Sequence, residues 1–138
     1  MNDYITYNAQ YKVLICRQHK FGISPDGVLR HFRDFHKDVP LTIRQAVGDY
    51  SKTLDLVAPQ NVITPQQPVQ PVEGLEIIHG YRCVYEGCSE LRGTKTSVKQ
   101  HCWESHRWKA KTGNMWEDQD CQTFFDGSRH KYICLNIR

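Results

Sequence analysis

No stretch of eighteen apolar residues occurs in the 138-residue sequence, and its opening, Met-Asn-Asp-Tyr-Ile-Thr-Tyr, has neither a basic start nor an apolar run. The first absence excludes a membrane-spanning helix, and the second argues against a secretory leader. The chain is therefore expected to be intracellular and nuclear, with no membrane partner. Apolar residues are scarce as well, at 39 per cent with a mean hydropathy of −0.62. A chain this short and polar has little from which to build one large core, so metal ligation is an expected source of stability. Nor does either charge dominate. The net charge of +3 is by itself too small to argue for a nucleic-acid partner.

What is present is more pointed. Six cysteines in a reducing compartment stay unpaired, and clustered Cys and His then read as metal ligands. From Cys83 to His106 the pattern is C-x4-C-x12-H-x4-H, with Cys83, Cys88, His101 and His106 as the ligands. The spacing has a physical cause. A short loop lets two thiolates face one metal, and two imidazoles about one turn apart on a helix close the tetrahedron. Val98, three residues before His101, is placed to pack that helix on the strands. Two buried thiols and two surface histidines would not account for the order of the ligands.

An earlier stretch repeats the theme as C-x2-H-x11-H-x4-H through Cys16, His19, His31 and His36. Here His19 stands where a C2H2 finger has its second Cys. A site of one Cys and three His is chemically allowed, with weaker and more acid-sensitive binding, because three imidazoles must stay neutral. The competing reading leaves His19 on the surface of a degenerate site. Ser24 is a candidate N-cap, Pro25 suits a first helical position, and Val28 stands before His31 as Val98 does before His101.

Residues 4–15 predict a strand running into Cys16, and a loose apolar stripe predicts a helix over residues 41–54 that Gly48 weakens. Residues 58–72 hold Pro59, Pro65, Pro68 and Pro71 and read as an extended linker. Strands are expected over residues 74–78 and 80–83, and a terminal β-hairpin over residues 122–125 and 131–135. Cys102 reads as a packing residue, and Cys121, His130 and Cys134 lack a fourth partner for a third metal site. The expected organisation is a small α+β, zinc-stabilised chain: an atypical finger over residues 1–40, a bracing helix over 41–57, the linker over 58–72, and a C2H2 finger with the hairpin over 73–138.

These residues also occur in a familiar order. Ile15-Cys16 precedes the first H-x4-H helix, and Pro71-Val72-Glu73-Gly74-Leu75 follows the Pro-rich stretch. Then come Gly80-Tyr81-Arg82-Cys83, His101-Cys102-Trp103-Glu104-Ser105-His106 and Cys121-Gln122-Thr123-Phe124-Phe125. Over roughly residues 13–137 the chain resembles the fungal family named after protein D of the orsellinic acid biosynthesis cluster, whose members carry two C2H2-like fingers. The resemblance implies two Zn²⁺ per chain on the eight positions above. It also implies that the chain can be part of a longer protein, since some members are joined to mobile-element or helicase-like regions. It supplies no biochemical activity.

Two functions compete. For nucleic-acid binding, counting back from His101 puts Thr94, Ser97 and Gln100 at base-reading positions, with Lys95 and Lys99 placed for phosphates. In the first finger only Arg30 could specify a base. Residues 80–113 carry seven Lys/Arg against three Glu, and Arg107, Lys109 and Lys111 continue the basic run. Trp103 and Trp108 could stack on unpaired bases, or simply pack. The 46 residues between His36 and Cys83 exclude an ordinary consecutive finger array on DNA. The alternative is a zinc-stabilised protein-interaction module. No enzyme activity and no small-molecule substrate are expected, because two four-ligand sites leave a metal no open position.

Overall fold

A computed structural model describes residues 3–65, 67–88, 90–108, 115–126 and 131–136. The chain divides into two compact units, each drawn from separated stretches. One holds Met1–Thr64, Val72–Glu76 and Thr123–Lys131; the other holds Pro65–Pro71, Ile77–Gln122 and Tyr132–Arg138. The protein is a small α+β chain with two sheets and three α-helices among the described residues. No helix among these residues is long and apolar enough to cross a membrane.

In the first unit, β1 (Ile5–Asn8), β2 (Val13–Cys16) and β3 (Phe21–Ile23) form an antiparallel sheet with β2 in the middle. The single strand expected over residues 4–15 is thus two strands. They are broken where Asn8 Oδ1 accepts the Tyr11 N–H at 2.9 Å and Lys12 adopts a left-handed φ of 59°. All four residues of β2 are 1% exposed or less, as a continuous apolar run covered on both faces should be. The register sets Cys16 between Ile5 and Phe21. Gly22 is required by close approach: its N–H donates to the Phe124 carbonyl, and a Cβ there would lie 2.5 Å from that oxygen.

The capping expected at Ser24 is corrected. Pro25 opens a single 3₁₀ turn, Pro25–Gly27, and Ser24 makes no capping bond; α1 (Val28–Phe35) starts afterwards with Gly27 as its N-cap. Proline's fixed φ suits a 3₁₀ turn as well as a helix start. Next, α2 (Leu41–Ser51) stops short of residue 54, where Ser51 Oγ donates to Gly48 O and Thr53 Oγ1 to Tyr50 O, tying off the last carbonyls. Gly48 has a packing reason, since a Cβ on it would meet Leu29 of α1 at 2.8 Å. Ile5, Leu14, Cys16, Ile23, Val28, Phe32 and Val47 form the core.

The second unit is a four-stranded sheet in the order β5 (Leu91–Arg92), β4 (Ile78–Cys83), β6 (Trp116–Thr123), β7 (Tyr132–Cys134). Between β5 and β6 in sequence lies α3 (Lys95–His106). β4 is antiparallel to both neighbours, with Arg82 opposite Leu91 and Cys83 opposite Trp116. The strand expected over residues 74–78 begins only at Ile78, and Gly74 takes a φ of 93°. The strand expected over residues 122–125 lies further upstream, because the polar run Trp116–Thr123 is organised by pairing with β4. The turn expected between these last strands falls on residues 127–130, outside the described residues.

Within the Pro-rich stretch, Val69 forms a parallel bridge with Leu135, and Gln70 Nε2 donates to Asn136 O. Thr94 Oγ1 caps α3 by accepting the Ser97 N–H at 3.1 Å. The helix closes at Arg107, left-handed at φ 55°, with its N–H on Trp103 O and the Trp108 N–H on Cys102 O, the 5→1 bond from a left-handed residue that marks an αL stop. Cys83, Val98, Cys102 and Met115 make the core here.

Candidate metal centres

Four ligands reach the first centre from three kinds of local structure. Cys16 is the last residue of β2, His19 lies in the turn that follows, His31 is on α1, and His36 caps its end. One ligating atom from each lies within 4.8 Å of all the others. Cys16 Sγ is 3.2 Å from His19 Nδ1 and 3.4 Å from His36 Nε2, and the Nε2 atoms of His31 and His36 are 3.1 Å apart. Metal–ligand bonds of about 2.0–2.3 Å in a tetrahedron imply edges of roughly 3.3–3.8 Å. The observed separations fall at or a few tenths of an ångström below that range. The His19 backbone N–H also points to Cys16 Sγ at 3.4 Å.

Aromatic rings pack around these imidazoles. Phe32 lies 4.7 Å from His36, and Phe35 lies 5.2 Å from His31, centroid to centroid. Burial, together with His36 and His19 beside it, lowers the His31 pKa to about 4, and burial and His19 likewise lower that of His36. Both imidazoles are thereby held neutral, the form that ligates. Because the folded-state value of His31 lies below the ordinary 6.5, the unfolded chain takes up the proton first. The contribution of His31 to stability is complete above pH 6.5 and lost as pH falls toward 4. The melting temperature of the first unit should therefore drop across that window; one that stays flat would contradict a buried neutral His31.

The second centre has the same order. Cys83 ends β4, Cys88 lies in the following loop, and His101 and His106 belong to α3. Their ligating atoms are again within 4.8 Å of one another. Cys88 Sγ is 3.3 Å from His101 Nε2, and Ser105 Oγ is 3.3 Å from His101 Nδ1. With Nδ1–H donating to Ser105, the Nε2 lone pair is left for a metal. Tyr85 stacks on His106 at 3.9 Å and 9°. His106 Nε2 is buried without a hydrogen-bond partner. A buried imidazole nitrogen with no hydrogen-bond partner, beside two thiols and a second imidazole, is an unsatisfied lone pair that a metal ion would satisfy. Burial pushes both thiols up, and a bound cation would reverse that.

The structure thus brings all eight expected ligands into two groups, either of which could hold a metal ion. Ser105, Tyr85, Phe32 and Phe35, which orient the ligands, were not anticipated; Ser105 carried a signal, standing four residues after His101. Cys102 is fully buried with its Sγ 3.8 Å from Cys83 Sγ, in the core. Cys121 and Cys134 belong to neither group, and His130 lies outside the described residues.

The base-reading residues expected around α3 are engaged within the protein. Thr94 caps α3, Arg92 donates to Ser97 Oγ at 3.2 Å, and Gln100 donates to Glu104 at 2.9 Å. Arg30, Lys95, Lys99 and Arg107 are exposed. Lys109 and Lys111 lie outside the described residues.

The model of the family described as orsellinic acid/F9775 biosynthesis cluster protein D matches residues 3–107, a span that takes in both centres. The chain belongs to this family. It is 31% identical over 129 residues to orsellinic acid/F9775 biosynthesis cluster protein D of Emericella nidulans (strain FGSC A4). That alignment covers 94% of this chain and 25% of the relative, so the chain spans about a quarter of that protein's length. The family match stops short of Cys121-Gln122-Thr123-Phe124-Phe125. No solved structure matches.

Proposed function

We propose that the chain is a zinc-binding module with two C2H2-type finger sites that acts without catalysis by binding nucleic acid. The observation that carries the zinc assignment is the buried, unpartnered His106 Nε2 within a group of four convergent ligating atoms. Two thiolates and two imidazoles are a donor set suited to structural Zn²⁺, and four protein ligands leave no position for a reacting water. Cys16, His19, His31 and His36 offer a second set with one thiolate. Each set follows the strand–strand–helix order of a finger: β2, β3, α1 and β4, β5, α3.

Support for nucleic acid comes from charge, with Lys95, Lys99 and Arg107 exposed on or beside α3. The engagement of Thr94, Ser97 and Gln100 favours backbone contacts over base reading, and it is also what keeps the protein-interaction module as a second reading. Purified protein is expected to contain two zinc ions per chain, falling to one in His19→Ala and to one in Cys83→Ala. A single ion that survives His19→Ala would reduce the first centre to a relic. On the nucleic-acid side, log affinity should fall with log salt with a slope of about −2 to −3, as three phosphate contacts imply. A protein partner would show no such slope.

A further inference from the structure

One exposed row of α3 is built differently from the rest of the helix. Lys95, Lys99 and Trp103 recur every fourth residue, Arg107 follows at the same interval just past the helix end, and all four are exposed. Successive members stand about 6 Å apart along the axis, on one i+4 ridge. Trp103 is 43% exposed, and the Arg107 guanidinium sits 5.6 Å from its ring centre, within cation–π range. Glu104, the acid nearest this row in sequence, accepts from Gln100. The row therefore offers three cations and a large aromatic surface.

We propose that this row binds single-stranded nucleic acid, with an unpaired base stacked on Trp103 and the backbone phosphates on Lys95, Lys99 and Arg107. The inference rests on the nucleic-acid reading above and narrows it. A duplex hides its base faces, so an indole on the contact ridge gains nothing from one, whereas every unpaired base presents a π-face. The roughly 6 Å step is also wider than the 3.4 Å rise per nucleotide of a stacked strand, which suits an extended chain with bases splayed apart. Sequence preference should be weak, because stacking and phosphate contacts carry no base code.

The test uses the full chain loaded with zinc and fluorescence anisotropy on a labelled oligothymidine, an oligouridine and a duplex of equal length. Both single strands should bind more tightly than the duplex. Trp103→Ala should weaken them by roughly 5- to 150-fold, the range expected for one lost stack, and Trp103→Phe should recover much of that loss. Lys99→Gln should reduce the salt slope by about 0.7. Zinc content and far-UV circular dichroism, unchanged in each variant, confirm that the fold is intact. Equal or tighter binding of the duplex, or an unaltered single-strand affinity in Trp103→Ala while Lys99→Gln weakens binding, overturns the single-strand assignment and leaves the nucleic-acid reading standing. Failure of all three probes to bind at low salt overturns both.

Discussion

Stripped of metal by a strong chelator, the stretch from β4 through α3 is expected to lose its fold, and zinc should restore it. The reason lies in the cluster that lines the centre. Among the described residues it is Cys83, Val98, Cys102 and Met115, of which Cys83 is itself a candidate ligand, while Leu91, Cys121, Ile133 and Leu135 are buried elsewhere in the second unit. Structural zinc contributes about 10–16 kcal/mol of apparent binding free energy in finger-sized units, comparable to or above the roughly 5–15 kcal/mol by which whole domains are stable. Trp108 and Trp116 pack against this core, so tryptophan fluorescence should shift to the red on chelation and α3 helicity should fall in circular dichroism. The first unit has a larger core in Ile5, Leu14, Cys16, Ile23, Val28, Phe32 and Val47, and should retain more structure under the same treatment. Tryptophan fluorescence and helicity that do not respond to the chelator would mean that metal does not hold this stretch together.

Phe32→Ala is expected to destabilise the first unit by about 3–5 kcal/mol, the usual cost of emptying a buried aromatic site. Phe32 is 0% exposed, meets Tyr4 edge-on at 6.2 Å and lies against the His36 ring at 4.7 Å. Its loss should therefore do two things at once: lower the denaturant midpoint and loosen one ligand of the first centre. Zinc content should drop from two ions toward one, with the ion of Cys83, Cys88, His101 and His106 retained. Phe32→Leu, which keeps most of the volume, should spare the metal. If Phe32→Ala loses stability but keeps both ions, the ring does not position His36.

Both ligand sets and the packing of Val28 and Val98 were legible in the sequence, because each depends on residue type at fixed local spacing. Val28 and Val98 are 3% and 0% exposed, on the helices that carry the histidines. The sequence was less clear where local chemistry allowed two outcomes. Ser24-Pro25 looks like a helix start, but Asp26-Gly27 completes a 3₁₀ turn first. Long-range pairing was harder still. Trp-Glu-Asp-Gln-Asp-Cys-Gln-Thr has little strand character, yet it extends β4 through a register running from Ile78–Cys121 to Cys83–Trp116. The internal bonds of Ser97 and Gln100 were likewise invisible, since only the fold brings Arg92 to Ser97.

Each helix that carries candidate metal ligands ends at its second histidine: His36 caps α1 and His106 closes α3. The last carbonyls of a helix carry the negative end of its macrodipole, equivalent to about half an electron charge. A cation gathered by these side chains would meet a favourable field in addition to its ligands, worth about 0.3–2 kcal/mol depending on burial. The benefit matters more at the first centre. There one thiolate would face a divalent ion and leave a positive charge over, which the end of α1, with Asp34 and Asp38 nearby, would help to neutralise. Where the helix stops would thus partly compensate for the missing second cysteine at that centre.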